Sequence, residues 1–162
     1  MKKYIEIVNN YIQIYDVDFP ISPAEKILPQ IIKIDEILLI GWAVRLLGDD
    51  EAAFLVIINN KKDIIPICGS YFVTDKEFKD NFNKRFNTQL YSEKLNELDP
   101  YDSKGKSIII YPSTLFGKPL YKENFSGVLP FLHSMARSVM LIKLGKGILT
   151  DECKEYLKKQ EN

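Results

Sequence analysis

Along residues 2 to 16, apolar and polar positions separate cleanly on a helical wheel of about 100° per residue. Tyr4, Ile5, Ile7, Val8, Tyr11, Ile12, Ile14 and Tyr15 fall within one half-turn, while Lys2, Lys3, Glu6, Asn9, Asn10, Gln13 and Asp16 fill the other. This partition predicts an amphipathic helix docked along one face. Asp18-Phe19-Pro20 then breaks the chain, and Ser22-Pro23-Ala24-Glu25 has the form of a capping box with proline at the first helical position. A second helix is expected from there, ended or restarted by Pro29.

From Ile37 the pattern changes to apolar runs divided by turn residues. Ile37 to Leu47, Ala52 to Ile58 and Ile64 to Cys68 are separated by Gly48-Asp49-Asp50 and by Asn59-Asn60-Lys61-Lys62, which predicts an antiparallel meander. The first run is apolar on both faces, as a central strand or a buried helix would be. Pro66 cannot donate a ladder hydrogen bond, so the third strand is placed at an edge.

Thr74-Asp75-Lys76-Glu77 forms a second capping box, and Phe78, Phe82 and Phe86 follow at four-residue spacing. The spacing predicts a helix with its phenylalanines inward. Leu90, Tyr91, Leu95 and Leu98 allow another short helix before the turn-rich stretch Asp99 to Lys106. Ser107 to Tyr111, with three consecutive isoleucines, predicts a fourth strand that Pro112 stops. Residues 125 to 144 are apolar nearly all round, as in a helix at the middle of a core, with Gly145 as its cap. Thr150-Asp151-Glu152 opens a last short helix whose Cys153, Tyr156 and Leu157 make its apolar stripe. The expected architecture is a single α+β domain over residues 1–162, an antiparallel β-meander of about four strands packed with about five helices.

Composition agrees with an ordinary globular chain. Its 162 residues are 46% apolar and 27% charged, and 22 basic side chains balance 22 acidic ones. A chain of this length buries about 70% of its unfolded surface, enough for a core without staples. Only Arg45, Arg85 and Arg137 are arginines, and neither the count nor the net charge suits nucleic-acid binding. The charge is uneven: residues 1–60 hold 5 basic and 9 acidic side chains, making that third the acidic end. Cys68 and Cys153 lie far apart, and His133 is the lone histidine, so no zinc or iron–sulfur ligand spacing is present and no cofactor is implied. Polar residues interrupt any signal-like run near the amino terminus, and Ile37 to Val44 is too short to span a bilayer. The expected setting is the cytoplasm, away from membrane.

Candidate chemistry is sparse. Gly105-Lys106-Ser107 ends like a phosphate-binding loop, but Pro100 stands where the earlier glycine is required and a strand follows. Gly145-Lys146-Gly147 reads as a helix end only. His133 and Arg137 lie one turn apart on the apolar 125–144 segment, beside Ser134 and Ser138. Facing a pocket, they could serve as a general base and an anion clamp, with Cys68 as a nucleophile. Facing solvent or core, they are a polar stripe, and Cys68 is a small buried hydrophobe.

Two features point instead toward binding. Asp49, Asp50 and Glu51 crowd a predicted hairpin tip, an acidic patch able to steer a basic partner. Between Tyr111 and Tyr121 a proline-bounded loop carries Thr114 and Phe116, a composition suited to recognition because rigid aromatics give contact area at low entropic cost. The reading drawn from this pattern is a small protein-binding module, an inhibitor or immunity-type protein that neutralises a toxin or enzyme. Its alternative is a small enzyme or ligand-binding domain built around His133, Arg137 and Cys68.

Overall fold

The computed structural model describes residues 2–21, 26–47, 50–88, 107–121 and 149–161. Its first element corrects the expected amino-terminal helix. β1 (Ile5–Val8) and β2 (Tyr11–Ile14) form an antiparallel hairpin in which Val8 faces Tyr11. Asn9 and Asn10 make the connection, and Asn9 adopts the left-handed conformation (φ 54°) that asparagine tolerates. Strand alternation puts Ile5, Ile7, Ile12 and Ile14 on one face. The wheel collected the same residues because Val8 and Tyr11, on the outward face, are apolar as well and complete a stripe of helical spacing. Five β-branched residues and a turn-forming asparagine pair decide for the extended form.

β3 (Gln30–Lys33) pairs antiparallel with β2 and completes a three-stranded sheet in the order β1-β2-β3. The second expected helix is therefore also corrected. Ser22 to Glu25 lie outside the described residues, residues 26–29 have no regular structure, and the chain is extended immediately after Pro29. Proline removes a helical donor and pushes the preceding residue toward extended geometry. Tyr71 anchors this stretch, its hydroxyl accepting from the Ile27 amide at 2.9 Å.

The meander forms as its pattern indicated. β4 (Ile37–Leu47), β5 (Asp50–Asn59) and β6 (Ile64–Cys68) pair consecutively, and β7 (Ser107–Tyr111) adds to the other side of β4, giving the order β6-β5-β4-β7. Ile37–Leu47 is thus the strand alternative, held on both edges, and Pro66 sits on an edge strand. Register divides the sheet into two faces. Ile40 and Trp42, with partners Ile57, Leu55, Ile65, Ile67 and Ile108, make one; Leu39, Gly41 and Ala43, with Ile58, Val56, Phe54, Cys68 and Ile109, make the other.

Each face has its own cover. α1 (Lys76–Phe86) starts at Asp75, whose carboxylate accepts from the Phe78 amide at 2.9 Å, and ends at Asn87 in a left-handed cap. Asp75 is the cap here, one residue after the Thr74 of the expected capping box. Buried Phe78, Phe82 and Phe86 continue a chain of rings that starts at Trp42 and Phe72 and ends on Tyr111, with successive centroids 6.4, 5.3, 5.8, 4.7 and 5.3 Å apart. The other face carries Leu120 and the helix α2 (Asp151–Lys159). Thr150 caps α2, Cys153 and Leu157 are buried, and the Tyr156 hydroxyl donates to the Leu38 carbonyl at 3.1 Å.

The class is α+β, but its content differs from expectation. Among the described residues there are two α-helices and seven strands in two antiparallel sheets, in place of one four-stranded meander with about five helices. The helices expected over Leu90 to Leu98 and over residues 125–144, and the cap at Gly145, lie outside the described residues. Among the described residues no helix is long and apolar enough to cross a membrane.

Two predictions follow from the packing. A Cβ on Gly41 would overlap Leu120 Cδ2 and sit 3.3 Å from the Ile108 carbonyl oxygen. Gly41→Ala is expected to cost about 1–3 kcal/mol through overpacking, and most of that cost should vanish when measured in a Leu120→Ala background by urea unfolding. Asp75→Ala should cost about 1 kcal/mol as a lost helix cap. Thr74→Ala, at an exposed position that makes no cap bond, should stay within about 0.5 kcal/mol.

Candidate functional site

The loop after β7 divides the four residues expected to form a recognition surface. Pro112 leads into a single turn, Ser113–Leu115, and Gly117 takes a left-handed conformation (φ 85°) that reverses the chain. The reversal lets the Gly117 amide donate to the Ile109 carbonyl at 2.9 Å and the Ile109 amide donate to the Lys118 carbonyl at 2.8 Å. A loop tied to its own strand in this way is a rigid flap. Thr114 and Phe116 are exposed on it, Phe116 at 41%. Tyr111 is half-buried against Phe86, and Tyr121 is buried, its amide donating to Ser107 Oγ at 3.0 Å. The segment thus supplies two surface residues and two structural ones.

The acidic tip and the alternative pocket are placed only in part. Asp50 and Glu51 open β5, their backbones opposite Leu47 and Leu46. Asp49, His133 and Arg137 lie outside the described residues. Cys68 is buried at the end of β6, and Ser70 Oγ donates to its sulfur at 3.2 Å. Cys153 is buried on α2, and loss of hydration pushes its thiol up to about 12. Among the described residues no three His, Cys, Asp or Glu side chains are grouped to hold a metal ion.

Surface missed by the helical reading of residues 2–16 is the outer side of the first sheet. Opposite the buried isoleucines, register places Glu6, Gln13 and Ile31 in one row and Val8, Tyr11 and Lys33 in the next. Val8 and Tyr11 are each 41% exposed and Ile31 59%; Leu28, in the segment entering β3, reaches 78%. Polar contacts brace the margin. Glu6 accepts from the Tyr15 hydroxyl, which raises that phenol's pKa. Asp18 accepts from the Tyr4 hydroxyl and from Lys2, which together hold its carboxyl below the usual carboxylate range. Reading alternation within each half of the hairpin would have located this face; the wheel merged both sides.

Two grooves lie elsewhere. One, of about 440 Å³, runs between the β1–β2 turn and α1 beside Ile7, Asn9, Asn81, Lys84 and Arg85. Arg85 donates there to the Asn10 side chain, so its guanidinium fastens the helix to the hairpin. The other lies between α2 and the ends of β5 and β6. The chain matches no protein-family model, no curated protein and no solved structure.

Burial of both sulfurs yields a direct expectation. In the native protein at pH 8, Cys68 and Cys153 should react with a thiol reagent at least tenfold more slowly than a free thiol, and both should react promptly in denaturant. Rapid native labelling of Cys68 would favour the reading of that thiol as a nucleophile.

Proposed function

We propose that the protein acts in the cytoplasm by binding another protein, as an inhibitor or immunity-type protein that occupies its target, and that the target docks on the outer face of β1–β3. The observation that supports this reading is the grouping of Val8, Tyr11 and Ile31, each at least 41% exposed, on the outward side of a sheet whose other side is core among the described residues. Tyr11, opposite Val8 on one side and Lys33 on the other with Ile31 on the diagonal, and Glu6 and Gln13 in the next row, has the make-up of an interface centre with a polar rim. Single exposed apolar residues are common on any surface, whereas adjacent ones on neighbouring strands mark a place where water is removed. The net acidity of residues 1–60 favours approach by a basic target toward this end.

Capture on the immobilised protein from lysate of its own source, followed by affinity measurement with the purified target, tests the proposal. Tyr11→Ala together with Ile31→Glu is expected to weaken binding by tenfold or more, and Phe116→Ala to change it less than twofold. Both substitutions fall on outward side chains, so an unchanged unfolding midpoint is the control. A target that binds the Tyr11/Ile31 variant as tightly as the native protein overturns the reading, as does a purified protein that uses this face to form its own dimer.

A further inference from the structure

The groove beside α2 has a different chemistry from the sheet face. Its floor is aliphatic, made by Ile58, Ile64, Leu149 and Leu157, and it encloses about 320 Å³. That volume lies at the small end of ligand sites, which run from about 300 to 1,000 Å³. Lys62, Lys154, Lys158 and Glu161 line its rim. Glu161 forms an ion pair with Lys62 and cancels that charge. Lys154 and Lys158 have no carboxylate partner among the described residues.

Two unpaired lysines four residues apart on a helix repel each other. Lys158 has a structural explanation, because a cation in the last turn of α2 complements the helix dipole. Lys154 follows the first turn, whose Asp151 and Glu152 already supply the acidic charge that a helix amino-terminal end favours, so the dipole neither requires nor forbids it. Two cations without a carboxylate partner among the described residues, above an aliphatic floor, are complementary to a molecule with an anionic head and an apolar tail.

The geometry points to a binding site for a free medium-chain carboxylate, its tail along Ile58, Ile64, Leu149 and Leu157 and its head group between Lys154 and Lys158. This site is independent of the docking face on β1–β3. Burial of successive methylenes should then tighten binding roughly threefold each from hexanoate to decanoate, and the neutral alcohol of equal length should bind at least tenfold more weakly.

The test is an amide and methyl NMR titration of the full chain with decanoate below its micelle-forming concentration. Expected are saturable shifts at Ile58, Ile64, Leu149 and Leu157 and a tenfold or greater loss of affinity in Lys154→Glu/Lys158→Glu. Lys159→Glu changes the same helix end outside the groove and should leave affinity within twofold, which separates ligand contact from the dipole. Lys154→Gln/Lys158→Gln, with its unperturbed spectrum elsewhere, guards against misfolding of the charge-reversed variant. The inference is overturned by the absence of saturable shifts at millimolar decanoate, by equal binding of decanol, or by affinity that ignores both double variants. It is equally overturned if vesicles of anionic lipid compete for the groove more strongly than the free acid.

Discussion

Strand β4 is the constraint on which the other elements depend. Over residues 40–43 it is hydrogen-bonded along both edges, to β5 and to β7, and the side chains of that stretch are packed in the core. Its backbone groups therefore have no recourse to water and must find partners in two neighbouring strands. β5 is supplied locally by the hairpin, but β7 comes from residues 107–111, far along the chain. Closing the sheet thus requires a long-range pairing, with packing on both faces of it. Gly41 shows how tightly the requirement is drawn, since Leu120 occupies the volume a side chain there would need.

The two covers differ in kind. On one face a run of six rings from Trp42 to Tyr111 spans the sheet and α1, and tilted or edge-to-face contacts add specificity to simple area burial. The opposite face is filled by Leu120, Leu149, Cys153 and Leu157, where the thiol behaves as one more apolar group and is held protonated by its surroundings. α1 also joins the sheets: Lys3 pairs with Glu77 and Arg85 holds Asn10, so the hairpin is oriented by the helix that covers the larger sheet. These exposed ionic contacts set geometry, while stability comes from the core beneath them.

The second sheet was legible because its signals agree. β-Branched runs, turn residues between them, an edge proline and a strand apolar on both faces all indicate one arrangement, and the four-residue spacing of phenylalanines placed α1 in the same way. The hairpin at residues 5–14 was illegible to a wheel because three-residue and two-residue periodicities coincide when the outward side of a strand is itself apolar. Val8 and Tyr11 supplied that coincidence. The exposed face proposed for docking was hidden for the same reason, since it depends on which side of a strand each residue takes. Tyr111 and Tyr121 show the converse problem: nothing in their local sequence distinguishes a recognition tyrosine from a packed one, and their burial is decided by the reversal at Gly117 and by contacts with Phe86 and Ser107.

Among the described residues the first sheet differs from the second in having no element over one of its sides, and the composition of that side carries information. A protein with no net charge lacks the general repulsion that keeps copies apart. An uncovered sheet in such a molecule invites association through its edge as much as through its face. Here both edge strands, β1 and β3, are only four residues long, and β3 is preceded by Pro29 and closed by Lys33, both of which discourage addition of a further strand on its side. Its face differs, for Val8 lies opposite Tyr11 and Ile31 diagonal to it, with Glu6, Gln13 and Lys33 as the other outward residues of these two rows. An apolar face beside a guarded β3 edge suits the proposed docking by side chains better than addition of a strand at that edge.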